Sequence, residues 1–405
     1  MPLPLGWLRT IGLAGALLIA ASAAAAQTAD ELFDGSTLQE IRLFINSRDL
    51  TRLRENYQEN TYYTADLLWR GVRVRNIALR SRGGGSRNPI KPGLRLDFDR
   101  YVTGQRFVGL TSLVLDNEWQ DPAMIRERLA MRLFERLGEP APRESYCRLF
   151  INNEYQGLYA IVEETNGDFA TRTLGETGGY VFEYHYIDPF YGEYLGADLA
   201  AYVPLFEPRT HVLESNAALY GPIERMLWEV NQEEDAVWRD RVEQYLDLAQ
   251  FVRHAAIENF VADNDGILGY AGMNNFYLYR SAGSTRHRLF PWDKDNAFLF
   301  IDSSVLLRAD DNAVFRRAFA YPDLRELFLQ TIERCARTAT EEDWLSSEIE
   351  AQVSLISASV REDRRKQFSN DEFDQAIEFL REFARARPSL ALEEVNRIRH
   401  AIANP

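Results

Sequence analysis

With 405 residues, 46% of them hydrophobic, the chain is long enough to bury a large core and to divide into two lobes. A formal net charge of −15 and the lack of any long basic run exclude nucleic acid as an expected partner, because a polyanion is met with basic surface. Two cysteines, Cys147 and Cys335, are too few for a cysteine zinc site and leave open one disulfide or two buried thiols.

The chain begins with Arg9, an apolar run from Ile11 to Ala21 and small residues from Ser22 to Ala26. That pattern predicts a secretory signal peptide over residues 1–26, cleaved after Ala26, with an apolar stretch too short to cross a bilayer. No second such run follows. The expectation is an exported protein, periplasmic or extracellular and at the cell surface, without a membrane span after cleavage.

Residues 27–165 read as a β-rich lobe. Ile41, Leu43 and Ile45, and later Val72 and Val74, alternate with polar residues, with a helix or helical turn over Ser47–Gln58 between them. The segment from Arg80 to Lys91 carries three glycines among basic residues, a composition that lets backbone N–H groups approach an anion; a plain hairpin loop is the alternative. In the strand that follows, Arg95 lies on the face opposite Leu94 and Leu96. Asp121 and Pro122 predict a helix start, with an apolar stripe running to Leu137 and a stop at Gly138. Arg126 falls inside that stripe, so it needs an acid or a phosphate unless it snorkels past the helix end. A second hairpin follows, turning over Asn152–Gly157 and running out into Glu163 and Glu164.

Residues 166–405 read as a mainly helical lobe, entered through an irregular Gly- and Tyr-rich stretch from Thr165 to Tyr220. Helices are expected around 224–228, 233–249, 251–262, 325–338, 341–366, 371–387 and 391–402. Among them lies a hairpin with Phe276 and Leu278 on one strand and Leu289 on the other, ending in Pro291-Trp292-Asp293-Lys294-Asp295. In an extended chain Asp293 and Asp295 share a side, and such a pair facing a cleft suits magnesium, which takes few carboxylates and keeps positions for water and phosphate oxygens. Asp263 or Asp265 is the nearby candidate base, and Asn274 or Asn275 a neutral oxygen ligand. Asp and Asn also gather at strand ends simply as turn formers.

Four segments in order resemble the CotH family of spore-coat and secreted kinases: the glycine-rich loop with Ile90 to Phe98, the block from Asp121 to Ala130, Ile151 to Glu163, and Asn274 to Tyr279 with Pro291 to Asp295. The resemblance implies an α+β, atypical protein-kinase-like two-lobed fold that binds ATP with a divalent metal, Mg2+ or else Mn2+ or Ca2+. By it Lys91 is the phosphate-binding lysine, with Arg95 as rival and Arg126 and Glu163 near the nucleotide. Asp293 is a metal ligand, joined by Asp295 and by Asn274 or Asn275, and Asp265, or its neighbour Asp263, is the catalytic aspartate. The expected activity is transfer of the ATP γ-phosphate to a protein Ser/Thr hydroxyl, with a glycan hydroxyl as a second acceptor class. The alternatives are a non-catalytic coat-assembly or adhesion module on the same fold, and a calcium-binding structural protein.

Overall fold

Residues 27–404 are described by a computed structural model; the predicted signal peptide lies outside the described residues. Alternation builds the first half. In β1 (Gln39–Ile45) every second residue is buried, which places Ile41, Leu43 and Ile45 on one face. The same period recurs in β2 (Tyr63–Trp69), and β3 (Val72–Arg82), β4 (Gly93–Asp97), β5 (Ser112–Asp116), β6 (Glu144–Ile151) and β7 (Glu154–Val162) complete a closed barrel in the order β1-β2-β3-β4-β5-β7-β6. Closure comes from the parallel pairing of β1 with β6, and it removes both sheet edges. Leu43, Leu67, Leu79, Leu96, Leu149 and Ile161 belong to the cluster that fills the barrel core.

The β6–β7 turn is tighter than expected. Asn152 and Asn153, both at positive φ (51° and 68°), make a two-residue connection, and Gly157 (φ 124°) lies in β7 at a register shift. Short helices α1 (Ala29–Leu32) and α2 (Ser47–Glu55) flank the barrel's first strand in the chain, and α3 (Arg126–Arg136) follows β5. The α3 helix starts four residues later than Pro122 predicts. The Asp121 carboxylate instead collects the N–H groups of Ala123, Ile125 and Arg126, so one acid holds the turn that precedes the helix.

The stretch expected to be irregular contains α4 (Gly167–Leu174), β8 (Tyr180–Tyr184) and β9 (Phe206–Pro208). These strands join the predicted hairpin, β10 (Phe276–Arg280) and β11 (His287–Pro291), in a four-stranded sheet ordered β11-β10-β8-β9. The helical part comprises α5 (Asn216–Gln232), α6 (Trp238–Val242), α7 (Leu248–Phe260), α8 (Ala313–Phe319), α9 (Pro322–Thr340), α10 (Trp344–Glu362) and α11 (Asn370–Ala403). Where two helices are expected around Pro388, α11 runs through it. The buried Arg387 beside the proline donates to the Phe260, Asn259, Ile301 and Ser303 carbonyls, which fastens this turn to the end of α7 and to the loop between β11 and α8. The chain is thus α+β. Cys147 lies in the barrel core and Cys335 in the helical core, and both are free, buried thiols. No described helix is long and apolar enough to cross a membrane.

Candidate active-site cleft

A cleft of about 1030 Å³ opens between the β3–β4 loop of the barrel and the second sheet. Its walls include Arg82, Gly83 to Arg87 and Arg95 from the barrel side, and Asp265, Asn274, Asn275, Trp292, Asp293 and Asp295 from the loops around β10 and β11. Segments from opposite halves of the chain therefore meet in one cavity. Gly83 has φ 114°, and a Cβ there would come within 2.5 Å of the Ser86 hydroxyl, so the turn that opens the loop requires glycine.

The acids crowd one another. Burial pushes the Asp293 carboxyl up to about 6, with Asp116 adding to the rise and Arg82 opposing it. Asp295 is pushed well above its usual value, by burial first and then by Asp293 and Asp116. Asp265 is raised as well, mainly by burial, while it accepts hydrogen bonds from the side-chain amides of Asn274 (3.1 Å) and Asn275 (3.0 Å). Partly desolvated carboxylates that repel each other and open on a polar cleft fit a hard divalent cation, whose charge would relieve the repulsion. The route to this arrangement differs from the extended pair expected. The strand ends at Pro291, and Asp293 sits at φ 49° in a turn, so the loop bends and period-two alternation does not place the two acids.

Asp263 and Asp265, equivalent by sequence, part company. Asp265 lines the cleft, whereas the buried Asp263 pairs with Lys294 at 3.0 Å. Lys294 also meets Glu258 at 2.6 Å and donates to the Asn275 carbonyl at 3.1 Å. This buried ammonium ties the end of α7, the Asp263–Asp265 loop and the start of β10 to the Asp293–Asp295 loop.

The basic residues are redistributed. Lys91 does not line the cleft; it is fully buried, paired with Asp363 at 2.8 Å, with its ammonium 5.1 Å from the centre of the Tyr159 ring. The same Asp363 accepts from the Leu158 N–H, so the pair joins β7 to the turn after α10. Arg126 is buried against Asp121 at 3.4 Å, which makes its partner an acid. Glu163 binds Arg143 (2.8 Å) and Arg172 (2.5 Å), and it is the next residue, Glu164, that faces Arg95 and Arg209, at 2.7 Å each. Burial works to raise the Glu164 carboxyl, and the two guanidiniums outweigh it and hold it below its usual value. Arg95 does line the cleft, tethered by that acid.

Arg82, which sequence reasoning passed over, closes β3 immediately before the glycine triplet. It pairs with Asp116 at 3.0 Å and lies 5.3 Å from the Trp292 ring centre. Its position next to the glycines was the available signal. Glu183, His185 and Glu207 have ligand atoms within 4.8 Å of one another on the cleft wall, but Arg209 sits 3.4 Å from both glutamates and already supplies the cation.

The CotH family profile, described as "CotH kinase protein", matches residues 79–390. The chain is 22% identical over 364 residues to a protein named inner spore coat protein H of Bacillus subtilis (strain 168), covering 87% of this chain and 96% of that one. It is 35% identical over 69 residues to an inner spore coat protein H-like protein of the same organism, 17% of this chain and 21% of that one. With the family's profile spanning most of its length, this chain belongs to the CotH family.

Proposed function

We propose that the chain is an exported, metal-dependent kinase with a protein-kinase-like two-lobed arrangement, transferring the γ-phosphoryl group of ATP to a hydroxyl of a protein. The observation that carries this reading is the convergence of a glycine turn, Arg82 and Arg95, the three aspartates 265, 293 and 295, and two asparagines on one cleft. Asp293 and Asp295 would hold magnesium, with Asn274 or Asn275 as a neutral oxygen ligand. A magnesium ion held there would supply positive charge that offsets the phosphate oxygens' negative charge. Arg82 and Arg95, which line the cleft, would take the phosphate-contacting part expected of Lys91, with planar, multiply donating groups. Asp265 orients the acceptor hydroxyl and takes its proton as that oxygen bonds the γ-phosphorus and the bond to the β-phosphate oxygen breaks. Its raised pKa brings it nearer the range in which a base is effective.

The acceptor class is a protein hydroxyl, with a glycan hydroxyl second. A coat-assembly module without turnover is the competing reading, supported by the name of the Bacillus relative. Transfer from radiolabelled ATP to the protein itself or to casein decides between them. Wild type is expected to transfer label with magnesium or manganese, and Asp265→Ala to keep nucleotide bound while losing ~10²-fold or more in rate, the scale of a lost general base. Normal ATP binding with no transfer under any metal would favour the assembly reading. Export is checked by the intact mass of protein recovered outside the cytoplasm, expected to lack residues 1–26.

A further inference from the structure

We infer that Glu127 is a positioning residue that clamps the Asp293 loop through a backbone hydrogen bond, making α3 one of the elements that hold the metal-candidate loop in place. The inference rests on the metal–nucleotide reading of the cleft. The backbone N–H of Asp293 donates to Glu127 Oε1 at 3.1 Å. Asp293 is a non-glycine residue at φ 49°, a conformation that persists only where its surroundings impose it. Those surroundings include the Asn275 carbonyl, which accepts the Trp292 N–H at 3.2 Å and Lys294 Nζ at 3.1 Å, and the Lys294 ion pairs with Glu258 of α7 and with Asp263. These hold the residues on either side of Asp293. Glu127, 166 positions away in the chain, is the partner of the Asp293 N–H itself.

Glu127 is buried beside Glu144, Asp293 and Asp116, and burial first, then those acids, push its carboxyl well above its usual value. Its oxygen accepts the Asp293 N–H in that setting. A flank of the same helix, through Arg128, Met131, Arg132 and Glu135, lines a separate cavity of about 470 Å³ with Glu348 and Gln352 of α10.

Two variants of the full mature chain test this. Glu127→Gln keeps a neutral oxygen acceptor of the same reach, and Glu127→Leu removes the acceptor while taking an ionisable group out of a buried acidic cluster, so neither is expected to unfold the protein. Hydrogen exchange across 292–296 needs no ligand, and calorimetric titration with ATP in magnesium reads the site itself. In Glu127→Leu the Asp293 amide should exchange ~10-fold faster or more and Mg–ATP should bind ~10-fold more weakly, the scale of one buried hydrogen bond. In Glu127→Gln both should stay within about 3-fold of wild type. Unchanged exchange in Glu127→Leu would overturn the inference. So would a Glu127→Gln protein with normal exchange and Mg–ATP binding as weak as in Glu127→Leu, because the charge would then be acting on the cation directly. Faster exchange in Glu127→Leu with no Mg–ATP binding by wild type would retain the clamp and remove the kinase reading beneath it.

Discussion

At the scale of single residues, two of the three lysines of an arginine-dominated chain, Lys91 and Lys294, are buried and paired with carboxylates, while Lys366 donates to the Asp363 main-chain carbonyl. A compact ammonium fits between carboxylates where a guanidinium would not. Sequence pattern identified the lysines as unusual and could not say whether the anion they met was a phosphate or an aspartate, since both ask for the same charge. For Lys91 the consequence is a stability effect. Lys91→Met leaves Asp363 buried and unpaired and is expected to cost about 3–5 kcal/mol in urea unfolding, whereas Lys91→Met with Asp363→Leu should recover most of it. Weakened ATP binding at unchanged stability would instead return Lys91 to the phosphate site. His287 makes a second test. It is buried, its Nδ1 2.9 Å from the Tyr245 carbonyl, and burial holds its pKa down at about 3. In the unfolded chain an imidazole titrates near ~6.5, so the unfolded state binds the extra proton and the contribution is complete above that pH and lost as pH falls toward 3. Stability should drop by about 2 kcal/mol between pH ~6.5 and ~5 on this account. His287→Asn should show a shallower decline over the same interval, and an identical slope in both proteins would refute the assignment.

At the scale of elements, what was legible followed local periodicity. The strands of the barrel's early hairpins, the β10–β11 hairpin and α9 to α11 show period two or 3.6 in the chain itself. The β8 strand did not, because it is buried on both faces and is paired with β10 nearly a hundred positions later, so its partner and not its own sequence makes it a strand. The break expected at Pro388 failed for a similar reason: tertiary anchoring of Arg387 outweighs the loss of one helical hydrogen bond. The β7 strand carries a testable element-level constraint. A Cβ at Gly157 would lie 2.3 Å from Asp363 Oδ2, in a backbone conformation L-residues rarely adopt. Gly157→Ala should therefore destabilise by about 2–4 kcal/mol through strain and disruption of the Lys91–Asp363 pair, read as a lowered urea midpoint. A change under about 0.5 kcal/mol would mean that Asp363 moves aside freely.

At the scale of the whole molecule, a closed barrel and a helical part joined by a four-stranded sheet bring the glycine turn, Arg82 and Arg95 against Asp265, Asp293 and Asp295. The order of those motifs along the chain was enough to point to the family. It was not enough to separate Asp263 from Asp265, to choose Glu164 over Glu163, or to find Arg82, because each of those distinctions depends on which neighbour a side chain meets across the fold. The central claim is that the acids at the end of β11 hold a metal–nucleotide in that cleft. Calorimetric titration of wild type and Asp293→Ala with ATP, in magnesium and in EDTA, tests it most directly. The account predicts magnesium-dependent binding by wild type that Asp293→Ala loses while its thermal unfolding stays cooperative; equal ATP affinity of the two proteins in magnesium would contradict it.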